Sequence, residues 1–387
     1  MVVSSRKART TSFRRAMACM RGFRRCSSMK GRSLPSDGED RAVEPIEAEP
    51  RGRVALRRAL ALTSLLFFLG TGAFVADSPI PGNDSQQITV RTPRDLPRLP
   101  HQLGNGPLTL VGGWELQSDN SEFGGFSALH AMGNGRLIAL SDAAILAGFT
   151  ITAKGRAQDS FIAPLPVRKG EPSTKKDQDS ESLTFDPVSG RYWVGFEQRH
   201  RIRRYAPGFA RAEATGKPLA MQEWPNNGGA EAMVRLRDGR FLVFSESRSI
   251  RPGVTVGLIF RGDPAETGAK AVSFAYQPPQ GYRITDIAQL PDGRLIALHR
   301  RFNLAEGVSA KIALIDTNTV RAKALVRPRV IATLKPPLPV DNMEGIAVDR
   351  EGRRTILWVI ADDNYLLLQR SLLLKFELSE PPSSPRS

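Results

Sequence analysis

Cysteine is nearly missing from this chain: the only two in 387 residues, Cys19 and Cys26, stand near the N-terminus. The rest of the sequence therefore has no disulfide, no thiolate nucleophile and no cysteine ligand for zinc, and it suits an oxidising compartment. Histidine is almost as scarce. His101, His130, His200 and His299 show neither zinc-ligand spacing nor a local triad pattern. No Gly-x-Ser-x-Gly elbow occurs, which disfavours a serine-hydrolase route. Nucleic acid is not expected as a partner, because no recognised motif for it is present and the net charge of +16 is unevenly spread. Residues 1–76 hold 15 of the 55 Lys and Arg but 6 of the 39 Asp and Glu, leaving 40 basic against 33 acidic groups, or +7, downstream.

Residues 1–50 are basic, then acidic, without apolar periodicity, the composition of a disordered leader. Residues 51–76 place a basic stretch before an uncharged apolar run, which predicts one apolar helix serving as a signal peptide or a membrane anchor. Small residues at Thr71, Ala73 and Ala76 favour cleavage. In either case the downstream chain is expected in the periplasm or outside the cell, held at the inner membrane only if this segment is uncleaved. A Pro-rich linker follows over 77–104, and 381–387 form a Pro/Ser tail.

Between linker and tail the sequence repeats. Gly-Arg occurs at Gly135, Gly190, Gly239, Gly293 and Gly352, at intervals of 55, 49, 54 and 59 residues, each time between two short apolar runs. Asn134-Gly135, Asp238-Gly239 and Asp292-Gly293 supply the positive φ of two-residue primed turns, so each unit reads as a β-hairpin with room for two more strands. Four antiparallel strands at this period predict an all-β fold over 105–380: a β-propeller of five or six four-stranded blades. A divergent sixth blade would fall between Gly148 and Asp179. The orphan strand at 108–116 is expected to complete the short last blade and close the ring. The basic run at 199–204 reads as a solvated edge strand, with attraction of anionic substrates or lipid headgroups as the alternative.

Seven to nine residues before each glycine stands a small polar or acidic residue, Ser127, Glu181, Glu231, Asp286 or Glu344; six to ten after it stands Asp142, Glu197, Glu246, His299 or Asp362. The start of the first strand of a hairpin and the end of its second lie side by side, so both sets are predicted at one channel mouth. Crowded carboxylates need a cation, a basic ligand or raised pKa values. Glu181, Glu197, Glu231, Glu246, Asn342, Glu344 and Asp362 are candidate metal ligands, for calcium by their oxygen chemistry, with Asn364 a further neutral ligand. Glu344, Asp286 and His299 are the candidate catalytic residues. The competing reading is that these acids cap turns and bond backbone amides.

The segment Asp341-Asn342-Met343-Glu344-Gly345-Ile346, the turn Asp362-Asp363-Asn364 and the ending Gln369-Arg370-Ser371-Leu372-Leu373-Leu374 together resemble the phytase-like family of exported bacterial propellers. Ser180-Glu181-Ser182-Leu183 and Gly229-Ala230-Glu231-Ala232 look like earlier copies of the same theme. The resemblance implies a propeller with esterase-like activity, and a likeness to propeller phytases whose acidic mouth binds calcium ions that hold phosphate. Two functions follow as expectations: a calcium-dependent hydrolase of phosphoester or related ester bonds acting on a small anionic or ester substrate, or a non-catalytic envelope propeller binding a ligand or protein. A monomer is expected in both.

Overall fold

Five sheets succeed one another along the chain, each built on the hairpin that carries a Gly-Arg pair. The computed structural model describes residues 85–168, 170, 174–366 and 369–379; the leader, the apolar segment, the start of the linker and the tail lie outside the described residues. Blade 1 comprises Phe126–Gly133, Arg136–Ser141, Ile145–Ile151 and Ala157–Pro164, and blade 2 comprises Ser180–Asp186, Arg191–Phe196, Arg201–Tyr205 and Ala212–Gly216. Blade 3 contains Ala230–Arg235, Phe241–Arg251, Val254–Phe260 and Ala271–Tyr276, with Leu325–Val326 added in parallel at its edge. Blade 4 contains Arg283–Gln289, Leu295–Asn303, Gly307–Ile315 and Arg329–Leu334. Blade 5 contains Asn342–Glu351, Arg354–Asp362 and Leu372–Leu378, the last paired antiparallel with Leu108–Gln117. The protein is thus an all-β propeller of five blades, and the 148–179 stretch that could have held a sixth supplies the outer strands of blade 1 instead.

The first strand of each blade packs against the first strand of the next, and that of blade 5 returns to that of blade 1. Apolar side chains fill the spaces between blades rather than a single centre. One cluster joins Leu298 and Ile312 of blade 4 to Ile346 and Leu357 of blade 5, and another joins Trp358 of blade 5 to Leu137 and Phe149 of blade 1. Twisted sheets bury both faces this way, which is why the strand sequences read as nearly continuous apolar runs.

Three local expectations need correction. Only Asn134-Gly135 has both residues at positive φ, 56° and 75°, as a two-residue primed turn requires. At Asp238-Gly239 the glycine alone is left-handed, and Leu236 N–H donates to Arg240 O at 2.7 Å, which makes a longer loop with a bulge. The Pro-rich lead-in is not wholly irregular, since Thr89–Arg91 and His101–Gln102 both pair with Leu108–Gln117; the prolines between keep these strands short. Finally, the basic run is not a solvated edge. Arg201–Tyr205 is an internal strand of blade 2, and Arg201 and Arg203 are 4% and 2% exposed.

Candidate metal centre

The register of each hairpin breaks near the start of the innermost strand. The breaks fall between Phe126 and Ala128, Ser180 and Ser182, Ala230 and Ala232, Ile284 and Asp286, and Met343 and Gly345. The bulged residues are Ser127, Glu181, Glu231, Thr285 and Glu344. A bulge leaves its residue off the ladder and re-aims its side chain. The residue before each bulge pairs with Ser141, Phe196, Ser245, His299 or Ala361 on the second strand. One position beyond those partners stand Asp142, Glu197, Glu246, Arg300 and Asp362.

Blade 4 therefore contributes a hydroxyl and a guanidinium where sequence reasoning put Asp286 and His299. Asp286 faces the packed backbone: its carboxylate accepts the amides of Ile287 and Ile346, both at 2.8 Å. His299 is fully buried, with Nε2 2.6 Å from the Tyr276 hydroxyl and Nδ1 3.4 Å from the Lys311 carbonyl. Burial pushes its pKa down to about 3, which keeps the ring neutral. Neither residue joins the carboxylates. Asp286 fits the turn-and-amide reading that competed with the metal, and His299 is a core histidine.

The remaining candidates converge. Asp179, Glu181 and Glu197 bring carboxylate oxygens within 4.8 Å of one another. Glu231 and Glu197 both repel Glu181, and Glu197 also repels Glu231. Gly229 donates its amide to Glu197 Oε1 at 3.4 Å, and a Cβ on Gly229 would lie 2.6 Å from the Glu197 Cα, so glycine permits this approach. Asp179 follows the helical turn Lys175–Gln178, outside every hairpin, and sequence reasoning missed it. That turn is fixed by Asp177, which closes a capping box with Thr174 and pairs with Arg199 at 3.0 Å.

Arg300 balances the carboxylates of blades 3 and 5, Glu231 among them. Its guanidinium lies 2.9 Å from Glu344 Oε1 and 3.4 Å from Glu246 Oε1, and donates to Asn342 Oδ1 at 3.1 Å. Asn342 in turn donates to Asp362 Oδ2 at 3.1 Å, and Arg283 meets Glu246 at 2.9 Å. Asn364 is tied to its own turn, its amide N–H donating to Asp362 Oδ1 at 2.6 Å.

Withdrawal from solvent and mutual repulsion raise these pKa values together. Glu181 rises well above the carboxylate range through burial first, then through Glu231, Asp179, Glu197 and Asp142. Glu231 rises likewise, through burial and then Glu246 and Glu197. Glu197 is pushed up to about 7 by burial and Asp179, and Asp362 to about 7 by burial and Asp142. Glu344 is pushed to about 8 by burial, against the pull of Arg300. Such carboxylates hold protons near neutrality or exchange them for a cation. The donor set fits a hard divalent ion, being carboxylate oxygen throughout.

No curated protein matches the chain. Solved structures with some likeness include a putative exported protein from Bacteroides fragilis, at 12% identity over 72% of this chain and 98% of that one, TM-score 0.37. Others are the PQQ domain of pyranose dehydrogenase from Coprinopsis cinerea, at 11% identity over 73% and 98%, TM-score 0.39, and the Malassezia sympodialis allergen Mala s 1, at 12% identity over 70% and 89%, TM-score 0.39. At these scores none bears on what this chain does. The model of the phytase-like family, described as "esterase-like activity of phytase", matches residues 121–365. With more than half of its length matched, and the Asn342-x-Glu344-Gly345 bulge on an inner strand, the chain belongs to the phytase-like family.

Proposed function

We propose that this propeller binds calcium at the carboxylates of blades 2 and 3 and hydrolyses a phosphoester or related ester bond there. The observation that carries the reading is the convergence of Asp179, Glu181 and Glu197, with Glu231 close enough to repel Glu181. A bound divalent ion would polarise the ester or phosphoryl oxygen and acidify a water. The protein's own part is to hold carboxylate oxygens at ligand distance and to move a proton. Without an ion Glu197, at about 7, exchanges its proton near neutrality, and calcium binding would displace that proton. Glu344, paired with Arg300, is expected to orient the opposite wall rather than to ligate the ion. We also read the pairing of Leu372–Leu378 with Leu108–Gln117 as closure of the ring, and residues 51–76 as an export signal that delivers the propeller to the periplasm or beyond.

The test is a calcium titration of the purified protein, following thermal unfolding and hydrolysis of a phosphomonoester and a carboxylic ester in parallel. A ligand at one hundred times its Kd stabilises by about 2.7 kcal/mol, a shift easily read. Stabilisation with turnover supports the hydrolase. Stabilisation without turnover supports the second reading, a non-catalytic envelope propeller that uses the same face for a ligand or a protein. No stabilisation at millimolar calcium removes the cation from both.

A further inference from the structure

Each hairpin turns a second-strand side chain toward the mouth, one position beyond the partner of the residue that precedes its bulge. Blades 1, 2, 3 and 5 place Asp142, Glu197, Glu246 and Asp362 there, and blade 4 places Arg300. A positive charge is therefore built into the ring at a station where every other blade has an acid.

Oxygens from three residues of the two neighbouring blades converge on that charge. Glu344 Oε1 lies 2.9 Å from the Arg300 Nε, Asn342 Oδ1 accepts from Nη1 at 3.1 Å and Glu246 Oε1 accepts from Nη2 at 3.4 Å. Asp362 stands behind them, its Oδ2 accepting from Asn342 Nδ2 at 3.1 Å. The side chains of Glu246 and Glu344 are 9% and 12% exposed, so water neutralises neither of them. Carboxylate oxygens mixed with an amide oxygen are the ligands that a hard divalent cation takes. Here a guanidinium takes them. Burial opposes its charge, but Glu344, Glu246, Glu231 and Asp362 outweigh burial and raise the Arg300 pKa. A second cation on the same oxygens would meet the fixed charge at a few ångströms and be repelled. An arginine, unlike an ion, is removed neither by a chelator nor by alkaline pH.

We propose that Arg300 is a tethered cation that occupies the place of a metal ion among Glu246, Asn342, Glu344 and Asp362, and so sets how many divalent ions the mouth holds. This role deepens the calcium reading above, yet the two fail separately.

The experiment counts calcium ions bound by the full chain, by calorimetric titration after stripping with a chelator. R300Q removes the charge and leaves an amide oxygen at the same station, and it is expected to bind one calcium more than wild type. R300K keeps a charge there and is expected to keep the wild-type count. Equal counts in wild type and R300Q overturn the proposal and leave the calcium reading standing. No ion in wild type but one in R300Q does the reverse, and an extra ion in R300K as well as in R300Q shows that charge is not what excludes it and overturns the proposal. E344Q carries the test if R300Q folds poorly. With Arg300 in place Glu344 does not ligate, so E344Q should keep the wild-type count and a Kd within about 3-fold, because a charge outside the ligand shell acts only through space. Loss of an ion from E344Q would make Glu344 a ligand and overturn the tethered cation.

Discussion

Arg300 Nε stands 2.9 Å from Glu344 Oε1, which ties the second strand of blade 4 to the inner strand of blade 5 at the channel mouth. The same guanidinium reaches Glu246 of blade 3. Its charge acts on Glu231 and Asp362 as well, so one arginine offsets carboxylates of blades 3 and 5, while Asp179, Glu181 and Glu197 converge on one another.

Replacement of Arg300 by Gln should destabilise the cation-free protein. Breaking a buried pair costs about 3–5 kcal/mol, and partial exposure of Arg300 reduces this to about 1–3 kcal/mol. Urea unfolding in chelator measures it. A loss below the error of that measurement would mean that the Arg300 contacts contribute little to stability.

The pH dependence has a definite sign. Glu197, Asp362 and Glu344, at about 7, 7 and 8, are raised by folding, so the stability they contribute is complete below about 4.5 and is lost as pH rises through 7 to 8. Asp177, Asp186 and Glu213 are lowered, and their contribution is lost as pH falls below about 4. In chelator the unfolding midpoint should peak between these limits, and calcium should flatten the alkaline fall. Equal midpoints at pH 5 and pH 9 without calcium would contradict the buried carboxylates.

Asp179→Asn removes one of the three converging carboxylates and should weaken calcium binding by at least about 10-fold with little change in folding. Asp286→Asn is the counterpart. It should lower stability, because Asp286 accepts the Ile287 and Ile346 amides, and leave calcium affinity as it was. Calorimetry on the two variants decides, and the reverse pattern would return the site to Asp286.

His299→Phe leaves the buried Tyr276 hydroxyl without its imidazole partner, at a cost of about 1–3 kcal/mol. Any hydrolytic activity should keep its kcat at a temperature where the variant is folded. A large fall in kcat with unchanged stability would restore a catalytic histidine.

Much of this was legible before any coordinates. The Gly-Arg repeats marked the hairpins, and Glu181, Glu231 and Glu344 do gather at one mouth with Glu197, Glu246 and Asp362. In blade 4 the acid and the histidine near the strand ends, Asp286 and His299, are not the residues that the bulge turns inward; the register selects Thr285 and Arg300 instead. A constant offset was available: Asp142, Glu197, Glu246 and Arg300 each stand seven residues after their glycine. Asp179 had no repeat to announce it. The burial of Arg201 and Arg203 was hidden as well, because an alternation of arginines looks like a wet edge until Phe196 is seen beneath them.

A residue at a bulge belongs to no rung of its sheet, so its side chain can change without breaking a ladder hydrogen bond of its own strand. Ser127 and Thr285 occupy the same station as Glu181, Glu231 and Glu344, and they spend their hydroxyls on the Ser180 and Met343 carbonyls of the neighbouring blade. Members of such a lineage are free to retune the rim one side chain at a time while the frame persists. Shared ancestry then predicts the mould more reliably than the reaction run inside it, and the rim of each member has to be read for itself.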